Sequence, residues 1–184
     1  MIEHKKDNST LKYSFFYSND IETVPVNCGR MQCPKEHRYG PHIRDYYLIH
    51  FVFSGCGYFY TGGKEYEVNP DWCFIIHPGE VTTYIADYTN PWDYGWLGFK
   101  CSPAPSFLDR HIIYLPQVKS IFERIRKDHI DYGKQWYLLT LIGRLLSELS
   151  SLEEPKKENI QTKLMLKMKT EIENAYASCL PISK

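Results

Sequence analysis

Apolar and polar positions alternate along Trp92-Asp93-Tyr94-Gly95-Trp96-Leu97-Gly98-Phe99. A period of two marks an extended strand, which puts Trp92, Tyr94 and Trp96 on one face. Gly95 leaves the opposite face nearly bare. Three large rings on one strand face either fill a core or line a pocket. Their O–H and N–H groups need partners in a dry core, so both uses stay open on this stretch alone. Upstream, Tyr46–Phe53 is an apolar, β-branched run closed by Ser54-Gly55-Cys56-Gly57. Tyr58–Thr61 and Lys64–Val68 flank Gly62-Gly63, which reads as a two-residue hairpin turn. Trp72–Ile76 and Val81–Ala86 follow, bounded by Asn69-Pro70-Asp71, His77-Pro78-Gly79 and Asp87–Pro91. Short strands at this cadence predict a sandwich or barrel.

After Tyr114 the period becomes helical. Val118, Ile121, Phe122 and Ile125 fall at i, i+3, i+4 and i+7, with Pro116 near the start. Leu138, Ile142, Leu145, Leu149 and Leu152 step by 4, 3, 4 and 3, and Leu139, Leu141 and Leu146 widen the stripe. Such a helix docks on its own domain, and heptad spacing with this width also suits a partner helix. The expected dimer seam is Leu138, Ile142, Leu145 and Leu149. Charged Glu153–Asn159 reads as a linker, and a third helix is expected over 160–177. The expected organisation is a barrel with an N-terminal arm over 1–115, a helical dimerisation segment over 116–152, and a linker with the start of another domain over 153–184.

Composition narrows the function. The 184 residues carry a formal net charge of zero, which is not the footprint of a nucleic-acid binder. Fifteen tyrosines and four tryptophans suit recognition, because such rings give contact area with few torsions to freeze. No run of 18 apolar residues suggests a membrane span, and the polar start Met1-Ile2-Glu3-His4-Lys5-Lys6-Asp7 has no secretory core. A cytoplasmic location is expected. The six cysteines are scattered and show no pair of CxxC knuckles, so free thiols are expected.

Enzymatic motifs are missing: no GxSxG elbow, no P-loop and no GxGxxG. His50, and His77 beside Glu80, raise the question of a metal. The small metal-binding barrels called cupins supply an HxH pair and a late histidine after a Pro-x-Gly turn. Here His50 stands alone in its run, and the late position is Thr82. No metal and no cofactor are expected from this ligand count.

Several segments together, in their order and spacing, carry a resemblance. They are His37–Gly40-Pro41, Arg44-Asp45-Tyr46-Tyr47-Leu48-Ile49-His50, Ser54-Gly55-Cys56-Gly57, Phe74-Ile75-Ile76-His77-Pro78-Gly79-Glu80, Tyr84-Ile85-Ala86-Asp87 and Pro91–Phe99. Over about residues 25–150 the chain resembles the N-terminal effector-binding and dimerisation region of AraC-family transcription regulators, closest to sugar-operon activators of Gram-positive bacteria. The resemblance implies a mainly β fold, a cupin-like barrel (double-stranded β-helix or jelly roll), followed by helices that dimerise. It implies a small-molecule effector, usually a mono- or oligosaccharide, and contact with DNA only through a helix-turn-helix domain that this chain lacks. The tail Ile172–Ser183 resembles the end of that domain's first helix.

Carried over position by position, the resemblance implies Tyr84, Tyr94 and Trp96 as effector-binding residues, with Arg38 as the basic residue before the first barrel strand. His37 is placed beside Arg38 at the mouth, and Trp92 shares the face of Tyr94 and Trp96. Independently, a sugar shows C–H faces that suit an indole and hydroxyls that suit Arg, His and Tyr. The competing expectations are a small cupin enzyme, such as a sugar isomerase or a metal-dependent oxygenase, and a stand-alone protein that forms mixed dimers with a full-length relative.

Overall fold

The computed structural model describes residues 22–125 and 135–152, the helical residues 167–169, 171–172 and 175–176, and the backbone of 5–7 and 10–12. The chain divides into two compact units, Met1–Ser150 and Ser151–Lys184. In the first, β1 (Lys5–Asp7) pairs with β2 (Thr10–Lys12). Nine further strands make two antiparallel sheets. They are β3 (Glu22–Gln32), β4 (Arg38–Ile43), β5 (Tyr47–Ser54), β6 (Gly57–Thr61), β7 (Lys64–Val68), β8 (Trp72–Ile76), β9 (Val81–Ala86), β10 (Asp93–Ser102) and β11 (Ile112–Tyr114). One sheet has the order β11-β8-β5-β10-β3, the other β4-β9-β6-β7. A 3-10 turn over Pro116–Val118 leads into α1 (Lys119–Phe122), and α2 spans Gln135–Ser150.

The strands expected at 64–68, 72–76 and 81–86 have those bounds, and the others agree within a few residues. Gly62 and Gly63 both have positive φ and join Thr61 to its partner Lys64, the geometry of the expected tight hairpin. Strands β3, β4 and β11 had no strong pattern in the sequence. Strand β3 is an edge strand with Pro25 and Gly29 within it, and its residues are nowhere fully buried.

The central strands of the five-stranded sheet, β8, β5 and β10, are buried on both faces. The sheet's inner face meets the second sheet around Phe74, Val52, Phe59, Trp92 and Tyr94. Its outer face carries Ile49, Phe51, Ile75, Leu97 and Phe99, and the helical segment packs over them. Val118, Ile121, Phe122 and Ile125 are all buried there, as their helical spacing predicts. Gly95 is not bare on this side: the rings of Phe53 and Phe122 close to 3.3 and 3.4 Å of the place a Cβ would occupy. On the rim, Arg30 grips Asp93 with two hydrogen bonds of 3.0 and 2.6 Å and lies over the Phe53 ring, tying β3 to the start of β10.

The leucine stripe of α2 is used within the subunit. Ile142, Leu145 and Leu149 are at most 1% exposed and belong to the core under the five-stranded sheet; Leu138 is half-buried. The sequence assigned these four to a partner helix. Three are withdrawn from that role, because the flat apolar sheet takes the face that the heptad spacing marks. The linker 153–159 lies outside the described residues. Of the helix expected over 160–177, residues 167–169, 171–172 and 175–176 are described and helical. No helix among the described residues is long and apolar enough to cross a membrane.

Truncating Leu145 leaves a hole between helix and sheet that neither can close. Leu145→Ala is expected to cost about 2–5 kcal/mol of unfolding free energy, while Arg144→Ala, exposed one residue away, costs under about 0.5 kcal/mol. Denaturant titration of the two variants checks this.

Candidate functional site

The site lies between the sheets and starts from one row of side chains. Phe74, His50, Trp96 and Gly29 are successive partners across β8, β5, β10 and β3. His50 stacks flat on Phe74, with ring centroids 4.2 Å apart and planes 6° apart. Trp96 leans over Gly29, where a Cβ would stand 2.3 Å from the indole; only glycine leaves that space. From the other sheet, Tyr84 faces His50 at 5.1 Å and stacks on Tyr39 at 5.4 Å. Tyr94 meets His50 edge-on at 5.0 Å.

The rings of Tyr39, His50, Tyr84, Tyr94 and Trp96 form the walls of a cavity of about 520 Å³, which Asn27, Met31, His37, Arg44 and Tyr46 also line. That size suits a small ligand. Arg44 is 8% exposed, and its guanidinium sits 4.8 Å over the Tyr39 ring. The Asn27 amide donates to the Tyr46 hydroxyl at 2.9 Å. Among the described residues, the buried side-chain polar atoms without a hydrogen-bond partner are Asn27 Oδ1, Arg44 Nη1 and His50 Nδ1. All three belong to residues that line this cavity. A buried polar group without a partner costs about 1–3 kcal/mol, and cores seldom keep one.

Of the residues the sequence singled out, the cavity brings together Tyr84, Tyr94, Trp96 and His37. Trp92 is elsewhere: it is fully buried between the sheets, and its indole N–H donates to the Val68 carbonyl at 3.0 Å. It is a satisfied core residue next to the site. Arg38 does not line the cavity either. It pairs with Ile85 while Tyr39 pairs with Tyr84, so strand alternation sends Arg38 to the outer face, near Tyr60. The basic residue inside is Arg44, just past the end of β4. The sequence reading missed it, along with Asn27 and His50. Arg44 and His50 stood within a matched segment, and only the register separates them from their neighbours.

Burial sets the charge state of the site. It pushes Tyr84 up to about 12, although Arg44 acts against it, and it pushes Tyr94 further up, so both hydroxyls stay neutral. Burial, then the charge of Arg44, holds His50 well below the ordinary 6.5. The folded protein therefore keeps His50 neutral where the unfolded chain takes up a proton. Stability is full above pH 6.5 and falls as pH drops below it, by about 1.4 kcal/mol per unit. His50→Phe, which preserves the stack on Phe74, is expected to remove that component; unfolding titrations from pH 7 to 5 on both proteins measure it.

A second cluster lies outside the cavity, where His77, Glu80 and His111 approach one another. The ligand count made from the sequence paired His77 with Glu80 but did not include His111, which is distant in the chain.

The chain is similar to several known proteins. The Msm operon regulatory protein of Streptococcus mutans is 29% identical over 102 residues, covering 55% of this chain and 37% of that protein. The raffinose operon transcriptional regulatory protein RafR of Pediococcus pentosaceus is 30% identical over 90 residues, covering 48% and 32%. The chain thus spans about a third of the length of these curated relatives. Among solved structures, a cupin 2 conserved barrel domain protein from Salinispora arenicola aligns over 54% of this chain and 88% of its own, at 12% identity and a TM-score of 0.35. Residues 24–166 match the AraC-like ligand binding domain, and the chain belongs to that family.

Proposed function

We propose that this chain is the effector-sensing region of a transcription regulator of carbohydrate utilisation, and that the cavity between its sheets takes a saccharide. The observation that carries the reading is the set of three orphaned polar atoms, Asn27 Oδ1, Arg44 Nη1 and His50 Nδ1, on residues around one aromatic-walled space. Trp96 and the tyrosines suit the C–H faces of a sugar, and the orphaned atoms suit its hydroxyls. The relatives, which regulate the Msm and raffinose operons, favour the same ligand class. Operator contact belongs to a separate DNA-binding domain, and the protein works in the cytoplasm. The reading as a cupin enzyme needs a metal inside the barrel. One imidazole with a buried arginine beside it is a poor cation site.

Calorimetric titration with a panel of neutral and acidic mono- and oligosaccharides tests the proposal. At least one is expected to bind. Arg44→Met is expected to weaken it by about 10-fold or more, because a hydrogen bond to a charged group is worth about 1.5–3 kcal/mol, and Trp96→Ala by a similar factor, because it removes the ring the sugar lies against. Arg38→Ala leaves the affinity unchanged. A panel without binders, or equal losses at Arg38 and Arg44, contradicts the assignment.

Self-association, which the family resemblance implies, fits the outer face of α2. Trp136 is 72% exposed, and Thr140, Gly143, Ser147 and Ser150 follow at steps of 4, 3, 4 and 3, all exposed. This is heptad spacing on a face that its own core leaves open. A Cβ on Gly143 meets nothing within 4 Å, so Gly143→Leu is tolerated in the monomer and disturbs a close helix pair. Sedimentation equilibrium should show a dimer for the wild type and a weaker one for Gly143→Leu. A wild-type chain that stays monomeric at high concentration removes this part of the proposal.

A further inference from the structure

At one end of the barrel, three segments bring ligating atoms together. His77 follows β8, Glu80 lies in the turn before β9, and His111 precedes β11. His77 Nδ1 is 3.1 Å from Glu80 Oε2. His111 Nε2 is 3.2 and 3.1 Å from the two carboxylate oxygens. All three ligand atoms lie within 4.8 Å of one another.

The surroundings fix how these groups present themselves. His77 Nε2 lies 2.6 Å from the carbonyl oxygen of Leu108. A carbonyl only accepts, so Nε2 carries the proton, and in the neutral ring Nδ1 turns a lone pair toward Glu80. Two acceptors 3.1 Å apart repel unless a cation stands between them. Thr61, buried at 3% exposure, donates its hydroxyl to Glu80 Oε2 at 3.1 Å. The Tyr66 ring stacks on His111 at 5.7 Å.

An imidazole anchored to a backbone carbonyl by its far nitrogen, and a carboxylate held by a hydroxyl, are the usual outer supports of metal ligands. Two of the ligand contacts, at 3.1 Å, are close to the edge of about 3.3 Å of a tetrahedron with bonds of about 2.0 Å. The donor set of two imidazoles and one carboxylate suits zinc, with water as the fourth ligand.

We propose that His77, Glu80 and His111 bind a zinc ion. The site is separate from the effector cavity, whose lining includes none of the three. The ion joins the end of β8 and the turn into β9 to the segment that enters β11, and so fastens the barrel to the stretch leading into α1. Its role is a cross-link, with no step of catalysis attached to it.

Zinc binding by the full chain at about pH 7.5, where an ordinary histidine is neutral, tests this. Chelator-buffered titration, metal analysis after gel filtration and thermal unfolding are the readouts. One zinc per chain is expected, with a rise in Tm as zinc is added. Glu80→Gln and His111→Ala, checked for folding by circular dichroism, should each bind zinc more than about 100-fold more weakly. Thr61→Val, which removes only the outer support of Glu80, should weaken it by about 10-fold. A wild type that retains no zinc overturns the proposal. So does zinc held equally well by Glu80→Gln and His111→Ala, which would place the metal elsewhere.

Discussion

The middle of strand β5 is buried on both sides. Leu48, His50 and Val52 face the space between the sheets, while Ile49 and Phe51 face the helices, and all five are at most 3% exposed. Strands β8 and β10 on its two flanks share this condition through Phe74 and Ile75, and through Tyr94 and Leu97. A sheet buried on both faces cannot slip by one residue without exchanging its two cores. That constraint holds His50, Tyr94 and Trp96 at fixed positions on the inner side. It also uses up the apolar face of α2.

The double burial explains why some features were legible in the sequence and others were not. The Gly62-Gly63 hairpin, the bounded strands after it and the stripe Val118, Ile121, Phe122 and Ile125 each follow from local chemistry. The partner of the leucine stripe does not. Ile142, Leu145 and Leu149 read alike whether they meet a sheet or a second helix, and only the outer face of β5, β8 and β10 settles it. Strand β3 was hidden because residue type does not follow burial there: Val24 and Val26 are exposed while Thr23 and Asn27 are half-buried, and Pro25 and Gly29 break the run. Its importance lies in an absence: Gly29 is where Trp96 finds room.

The site was half legible for the same reason. The alternation over 92–96 grouped three rings correctly on one face, and depth then divided them. Trp92 is capped by the Val68 carbonyl and closes the core, Tyr94 is buried beside the cavity, and Trp96 is half-exposed at its wall. Choosing between Arg38 and Arg44 needed the register of β4 against β9, which no spacing along the chain reveals. His111 joins His77 and Glu80 only through the return of the chain to β11. In each case the decisive information is which side of a strand a residue occupies, or which strand end it meets.

On the proposed reading, the three buried polar atoms without partners among the described residues are the cost of keeping a binding site ready. A crystal structure of the chain with a saccharide bound addresses that claim most directly. The account requires the sugar ring to lie against Trp96, with hydroxyls within hydrogen-bonding distance of Arg44 Nη1, His50 Nδ1 and Asn27 Oδ1. A saccharide seated instead in the outer groove along Tyr60, Lys64 and Thr83, with those three atoms still unpartnered, would contradict it.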